Sequence, residues 1–309
     1  MRLFVLALAL LLSAPALAGE RFTFAAIGDL PYVREDPHVL DPEAAANRDF
    51  SRLVERINAS RPAFTVHVGD TKAGNTTCTD EHLAFIKARF FDRFDGPLVY
   101  TPGDNEWTDC DRKGGDPLVQ LAHLRKLYFA QPHSLGRTPM KLTRQHDFPE
   151  NALWTRSQVV FATLNVPGSN NDERQPEEFA ARNAADLAWL RGAFARARSD
   201  KAKAVVLFMQ ANPGWFCTRK ECTNGEGDGI ANYRELLAAL VAEVEAFPRP
   251  VLMVHGDTHV FTVDKPMRKN GDVQPRFTRL EVFGDTDSHA VLVDVDPDSP
   301  DVFGFRPLM

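Results

Sequence analysis

Four short apolar segments of this chain each end in a Gly-Asp dipeptide, so a carboxylate follows each of four apolar runs. The segments are Phe22–Asp29, Phe64–Asp70, Leu98–Asp104 and Val251–Asp257, and His259 follows the last of them by two residues. Carboxylates and imidazoles bind divalent cations, and clusters of them support phosphate chemistry. The pattern therefore predicts a hard-metal or phosphate-processing site, provided that the four segment ends meet.

The segment ends are expected to meet because each apolar run has the length of a buried strand. Glycine lets the backbone turn sharply where a strand ends, and ligands of open α/β sheets bind at that edge. The alternative is that each Gly-Asp marks only a turn or a helix cap. A fifth example, Val282–Asp285, shows how easily turns produce the pattern. Four examples in order, each closing an apolar run, favour the shared site.

The segments between these strands have the spacing of helices. Apolar periodicity predicts helices at Asn47–Ser60, at about Asp80–Phe94 and at Leu118–Phe129, and the β-α-β-α-β order implies a parallel, right-handed arrangement. Further elements are predicted along the rest of the chain: a strand pair in Leu153–Asn165, helices Glu177–Ala197 and Ile230–Ala246, strands Ala204–Met209 and Val251–His255, and successive antiparallel strands at Val260–Val263, Phe277–Phe283 and Ala290–Val295. The simplest architecture is α/β, with two packed sheets flanked by helices.

Length and charge narrow the class of protein. A chain of 309 residues that is 44% hydrophobic can form one large α/β domain with a substantial core, and a division into two domains is the alternative. A net charge of -6 without a lysine and arginine cluster argues against a general nucleic-acid binder. Small anionic substrates remain compatible with this charge, because a bound metal ion inverts the local field.

The first 18 residues have the features of a signal peptide. Arg2 is the positive residue, Leu3–Leu12 is the apolar region, and Ala16–Ala18 is an A-x-A cleavage site. The mature chain would span residues 19–309 and be periplasmic or secreted. The alternative is a retained anchor, although the apolar stretch is short for a membrane span, and no later segment reaches that length.

Four cysteines agree with an oxidising compartment. Cys217 and Cys222 flank a short polar loop and form the natural local pair, which leaves Cys78 and Cys110. A Cys78–Cys110 disulfide would tie together the two loops that follow Asp70 and Asp104. A structural zinc site is one alternative, although the cysteine spacing lacks the paired C-x-x-C knuckles of such sites. Free thiols are the other alternative.

The order of these motifs resembles that of the calcineurin-like metallophosphoesterase superfamily. The matching stretches are Gly28–Pro31, Gly69–Asp70, Gly103–Glu106, Gln210–Asn212 and Gly256–His259. The resemblance implies an αββα sandwich of two packed mixed β-sheets flanked by helices. It also implies two divalent metal ions and a small phosphorylated substrate.

The resemblance assigns roles to individual residues. Asp70 matches the aspartate that bridges two metals, and Asp29 and His259 match ligands of the first metal. Asp104 falls where the family has a metal-binding asparagine, and Asp257 falls where it has a histidine.

Other motif positions depart from the family. Pro31 replaces a ligand histidine, and Ala211 stands at another histidine position. Either of the residues that flank Ala211, Gln210 or Asn212, is a candidate substitute ligand, and Gln210 is the one assigned.

Asn105 replaces the histidine that protonates the leaving group in the family. An amide can donate a hydrogen bond but cannot act as an acid. His255 is a candidate substitute acid, with a buried core histidine as the alternative.

These departures exchange nitrogen donors for oxygen donors, which favours Mg, Mn or Ca over Zn or Fe. The resemblance implies an exported, metal-dependent phosphoesterase that hydrolyses phosphate esters or anhydrides through a metal-activated water, with Asn105 holding the phosphate. A catalytically weakened relative that binds a metal or a phosphorylated ligand without turnover is the second hypothesis. A structural secreted protein whose aspartates are only turns is the third.

Overall fold

The computed structural model describes residues 19–33, 41–214, 231–270, 272–285 and 287–309. The predicted signal peptide and the predicted Cys217–Cys222 pair lie outside these residues. The described strands are β1 (Phe22–Ile27), β2 (Thr65–His67), β3 (Leu98–Tyr100), β4 (Thr143–Arg144), β5 (Ala152–Arg156), β6 (Val159–Thr163), β7 (Ala204–Phe208), β8 (Val251–His255), β9 (Thr262–Asp264), β10 (Arg268–Lys269), β11 (Asp272–Val273), β12 (Phe277–Glu281), β13 (Ala290–Val295) and β14 (Phe303–Leu308).

The helices lie between the strands in sequence. They are α1 (Pro42–Ser60), α2 (Asp80–Arg89), α3 (Pro117–Leu124), α4 (Gly168–Asp172), α5 (Pro176–Ser199) and α6 (Arg234–Ala246). The start of α1 shows why such segments are helical: Asp41 accepts a hydrogen bond from the backbone N–H of Ala44 at 2.9 Å, and Pro42 stands in the first turn. Among the helices that the structure describes, none has the length and apolar character of a membrane span.

Two mixed sheets form the centre of the molecule. The first has five strands in the order β14-β13-β1-β2-β3, in which β1, β2 and β3 are parallel and β13 is antiparallel to both of its neighbours. The second has seven strands in the order β4-β5-β6-β7-β8-β12-β9, in which β6, β7, β8 and β12 are parallel. The carboxyl ends of β1, β2 and β3 therefore meet at one edge.

Three apolar layers hold the sheets and helices together. One lies between the two sheets, where Phe24, Phe64 and Phe161 contact each other. A second packs α1, α2 and α3 on the first sheet, and a third packs α5 and α6 on the second. This helix-sheet-sheet-helix order confirms the predicted α/β sandwich.

The C-terminal strands differ from their prediction. β12 is parallel to β8 and antiparallel to β9, whereas β13 crosses to the first sheet and pairs with β1. β14 was not predicted, and it forms the edge of the first sheet beside β13. Local alternation of apolar residues shows that a segment is a strand, but the choice of partner depends on long-range packing. The helix expected at Leu118–Phe129 also ends earlier, at Leu124, and continues as a wider turn over Arg125–Phe129.

Candidate metal and phosphate site

The structure places the four strand-end aspartates around one cavity of about 960 Å³. Asp70, Asp104 and Asp257 line it, and so do Asn105 and His259. Asp29 is fully buried beside this group, 3.4 Å from the ring of His259 through its Oδ1 atom. Six predicted site residues thus lie together although they come from positions far apart in the sequence.

Backbone conformation explains how the carboxylates reach this edge. Asp29, Asp70 and Asp257 have positive φ angles of 52°, 59° and 82°, so the chain turns in the left-handed region directly after each glycine. Aspartate tolerates this region better than most residues. At the end of β3, a Cβ on Gly103 would overlap Oδ1 of Asp70, so only glycine permits this close approach.

Glu106 fixes the loops after β2 and β3 relative to each other. Its Oε2 accepts hydrogen bonds from the backbone N–H of Asp70 at 3.0 Å and of Gly103 at 2.8 Å. Its Oε1 accepts from the backbone N–H and, at 2.8 Å, from the hydroxyl of Thr71. Glu106 is fully buried and is not among the cavity-lining residues described. It positions the loops that carry Asp70 and Asp104 through these backbone hydrogen bonds.

Asp70 lies at the centre of a hydrogen-bond network. Its Oδ2 accepts from the hydroxyl of Tyr32 at 3.0 Å, from Nδ2 of Asn105 at 2.9 Å and from Nε2 of Gln210 at 3.1 Å. Nδ2 of Asn105 also donates to the Tyr32 hydroxyl at 2.5 Å. Asn105, the predicted phosphate-holding residue, therefore lies against the aspartate predicted to bridge two metals.

Gln210 connects Asp70 to Asp257. Its Nε2 lies 3.2 Å from Oδ1 of Asp257, and its Oε1 accepts a hydrogen bond from the backbone N–H of Gly168 at 2.5 Å. The other oxygen of Asp257 accepts from the backbone N–H of Asn212 at 2.8 Å. In this arrangement the amide oxygen of Gln210 faces Gly168, and its nitrogen faces the carboxylates.

Asp285, which the sequence reasoning treated as a turn, lines the same cavity. Its Oδ2 is 3.9 Å from Nδ1 of His259, and its backbone N–H donates to the carbonyl of Asp29 at 2.9 Å. Its φ of 60° is close to those of Asp29 and Asp70. The signal was therefore present in the sequence as the fifth Gly-Asp. Asp285 and Asp29 lie on the two sides of the His259 ring.

Asp104 faces a left-handed turn formed by α4. Ser169, Asn170 and Asn171 have φ angles of 48°, 53° and 56°, and this turn places the Ser169 hydroxyl 2.7 Å from Oδ2 of Asp104. Buried Arg182 holds the turn by donating to the side-chain and backbone oxygens of Asn171, at 2.6 and 3.1 Å. No local sequence signal indicated that Ser169 would reach the site.

The carboxylates of the site repel one another in a buried setting. Burial raises the pKa of Asp29, and burial together with the charges of Asp104 and Glu106 raises the pKa of Asp70 well above its usual range. Burial and the charge of Asp109 raise the pKa of Asp104 to about 7. A bound cation would relieve this repulsion.

The chemistry of these donors fits a hard divalent cation. Asp104 Oδ1 is buried, and within the described residues it has no hydrogen-bond partner. In the same part of the chain, however, no three Asp, Glu, His or Cys side chains already surround a common point as they would a bound ion. Tyr32, Asn105 and Gln210 donate to Asp70 instead, so binding an ion at Asp70 requires that these donors move aside.

His255, the candidate substitute acid, lies in the core. It is fully buried in β8, its Nδ1 is 2.9 Å from the carbonyl oxygen of Gly256, and it is not among the cavity-lining residues described. Burial, with the charge of Arg279, lowers the pKa of His255 to about 3. The position agrees with the alternative interpretation of a core histidine.

The predicted Cys78–Cys110 disulfide is present, with Cα atoms 5.5 Å apart. It joins the loop after Asp70 to the short helix Thr108–Lys113 that follows Asp104. Lys72 lies in the first of these loops and also lines the cavity. Burial lowers the pKa of Lys72, and the charges of Glu106 and Asp70 oppose this effect.

Comparisons of the whole chain with known proteins identify the fold. A dimetal phosphatase from Danio rerio is 12% identical, with a TM-score of 0.54, and the match covers 93% of this chain and 98% of that one. PhoD is 12% identical with a TM-score of 0.57, over 92% of this chain and 65% of that one. A purple acid phosphatase from yellow lupin (Lupinus luteus) seeds is 10% identical with a TM-score of 0.50, over 94% and 54%. No protein-family model and no curated protein sequence matches the chain.

The chain therefore has the calcineurin-like metallophosphoesterase fold, as its motif order predicts. At these identities the comparisons establish the fold alone. The local chemistry of the site must be argued from the residues of this chain.

Proposed function

We propose that this protein is an exported, metal-dependent phosphoesterase that hydrolyses esters or anhydrides of phosphate. The observation that carries the proposal is the convergence of Asp29, Asp70, Asp104, Asp257 and His259 beside one cavity of a phosphatase fold. The predicted signal peptide and the Cys78–Cys110 disulfide support export.

In this proposal the five convergent residues hold one or two divalent ions, with Gln210 as a further predicted ligand. Their carboxylates favour Mg, Mn or Ca over Zn or Fe. An ion bound there supplies positive charge to the phosphate oxygens and lowers the pKa of an attacking water.

The remaining residues of the site orient the substrate. Asn105 lines the cavity, and its amide can donate to a phosphate oxygen once it releases Asp70. Asn105 cannot protonate a leaving group, and His255 is buried away from the cavity. Substrates whose leaving groups need no proton, such as aryl esters and anhydrides, should therefore react fastest.

One observation favours a second candidate function. Three hydrogen-bond donors already satisfy Oδ2 of Asp70. Histidines are also missing at three ligand positions of the family pattern, where Pro31, Ala211 and Asp257 stand. A site with these features could bind a phosphorylated ligand without hydrolysing it, because binding does not require the missing histidines.

The test is hydrolysis of p-nitrophenyl mono- and diesters by the purified protein after chelation and separate re-addition of Mg, Ca, Mn, Fe or Zn. Turnover restored by a metal in the wild type and lost in Asp70→Asn supports the phosphoesterase. Asp95→Asn, at an exposed carboxylate that pairs with Arg137, is the matched control and should retain activity. Metal uptake without turnover supports the binding protein, and the absence of both contradicts the two proposals together.

A further inference from the structure

Lys72 is a buried cation at the site and forms no ion pair with a carboxylate of the described residues. Lys72 lines the cavity, although the residue is only 4% exposed. Its Nζ donates to the backbone carbonyl of Thr76 at 2.8 Å and contacts that of Ala73 at 3.4 Å. Within the described residues, lysine ion pairs are formed by Lys87 and Lys203 but not by Lys72.

The other strongly basic residue that lines the cavity is already paired. Arg112 lies 2.5 Å from Asp109 through its Nη1 and donates to the Ser169 hydroxyl at 3.0 Å through its Nη2. Lys72 is therefore a buried ammonium group that has no direct ion pair within the described residues, although the charges of Glu106 and Asp70 act on it from farther away. A buried charge is costly unless it is paired, and an ammonium has three donors, of which the two carbonyls use at most two.

The loop that carries Lys72 is held against the predicted phosphate-holding residue. Gly74 lies so close to Asn105 that a Cβ on this glycine would be 2.5 Å from Oδ1 of Asn105. The disulfide between Cys78 and Cys110 secures the end of the same loop. Lys72 and Asn105 therefore both line the cavity, and the loop that carries Lys72 lies against Asn105.

We infer that Lys72 binds the phosphate group of the substrate and makes the site selective for phosphate monoesters over diesters. The inference rests on the proposed function and deepens it. A monoester phosphate carries nearly two negative charges at neutral pH, and a diester carries one. A fixed ammonium group therefore attracts the monoester more strongly, and it offsets the repulsion between the substrate and the strand-end carboxylates.

The experiment measures phosphate binding separately from turnover. Inorganic phosphate is titrated into the wild type and into Lys72→Met by calorimetry, once in chelator and once with saturating Mn²⁺. Lys72→Met should bind phosphate about tenfold more weakly or worse, because a charge-assisted hydrogen bond is lost. Lys72→Arg keeps the charge and should retain part of the affinity. Lys87→Met, on the surface of α2 and paired with Asp92, should bind as the wild type does.

The second readout is the ratio of kcat/KM for p-nitrophenyl phosphate to that for bis-p-nitrophenyl phosphate. Lys72→Met should lower this ratio about tenfold, a change that a loss of loop order alone does not produce because it affects both substrates. If Lys72→Met does not fold, Lys72→Gln replaces it, since its amide can still donate to the Thr76 carbonyl.

The outcomes separate this inference from the proposed function. Phosphate binding that depends on Lys72 in a protein without turnover supports the role of Lys72 and contradicts the phosphoesterase. Equal phosphate affinity in the wild type and Lys72→Met overturns the inference, even if the enzyme is active. A wild type that binds no phosphate in either condition overturns it as well.

Discussion

Glu106 accepts a hydrogen bond from the backbone N–H of Asp70 at 3.0 Å, so a side chain after β3 fixes the position of the carboxylate after β2. The same carboxylate binds the backbone N–H groups of Thr71 and Gly103. Glu106 therefore sets the spacing between two strand ends, which no local property of either strand determines.

Glu106→Gln should destabilise the protein by about 1–3 kcal/mol, because an amide nitrogen would face backbone N–H donors and leave at least one of them unpaired. Urea unfolding measures this change. The exposed Glu55→Gln on α1 is the control and should lie within about 0.5 kcal/mol of the wild type. Equal stability of Glu106→Gln and the control would show that the loops are positioned by other contacts.

Asp285→Asn should weaken Mn²⁺ binding about 10–100-fold, because a carboxylate beside a metal-binding histidine orients its ring and raises its basicity. Asn is the appropriate replacement, since it tolerates the φ of 60° and keeps the N–H that donates to Asp29. Calorimetric titration with Mn²⁺ measures the affinity. Asp287→Asn, two residues away and exposed, should bind as the wild type does. Unchanged Mn²⁺ affinity in Asp285→Asn would show that Asp285 does not contribute to metal binding.

Much of the fold can be predicted from local sequence patterns, but the position of Asp285 in the site cannot. Apolar runs and helical spacing place the β1-α1-β2-α2-β3 elements and the strand-end aspartates, because both signals are short-range. Asp285 carries the same Gly-Asp signal. Its place in the site depends on β12 lying parallel to β8, and that pairing joins residues from different parts of the sequence.

Ser169 and Lys72 show a different limit. Ser169 reaches Asp104 from a run of four successive residues with positive φ, a conformation that sequence propensity disfavours and that buried Arg182, from α5, helps to stabilise. Lys72 is an ordinary surface residue by composition, and its burial comes from the packing of its loop against Asn105. Tertiary contacts, not local preference, bring both side chains to the cavity.

Removing the disulfide should both destabilise the protein and weaken phosphate binding. The two cysteines are 32 residues apart in the sequence, and the disulfide closes the loop between them. The Cys78→Ser, Cys110→Ser double variant opens this loop, which should lower the free energy of unfolding by roughly 3–4 kcal/mol. Phosphate affinity should fall as well, since the loop between Asp70 and Cys78 carries Lys72.

Urea unfolding and phosphate calorimetry, each with and without reductant, test this prediction. Reductant should lower the stability of the wild type towards that of the double variant. Double-variant stability equal to that of the wild type would mean that the loop is held without the bond.

Asp186, which is not among the described cavity-lining residues, should make the stability of the protein depend on pH. Its Oδ1 accepts from Nδ2 of Asn151 at 2.6 Å, its Oδ2 is 3.9 Å from Arg182, and burial raises the pKa of Asp186 to about 8 against the opposing charge of Arg182. Unfolded Asp titrates near pH 4. Between about pH 4 and 8 the folded state therefore holds more protons at this site than the unfolded state, and the contribution of Asp186 to stability falls as the pH rises.

Asp186→Asn removes this titration and keeps the shape of the side chain. Its free energy of unfolding relative to the wild type should increase between pH 5 and pH 8, by up to about 1.4 kcal/mol per pH unit. Taking the difference cancels the titrations of other buried groups, such as His255, which the two proteins share. Urea unfolding at pH 5, 6, 7 and 8 measures it, with the exposed Asp95→Asn, whose partner Arg137 does not titrate in this range, as the control that should parallel the wild type. A difference between Asp186→Asn and the wild type that does not change with pH would show that Asp186 is ionised in the folded protein throughout this range, with Arg182 outweighing the cost of burial.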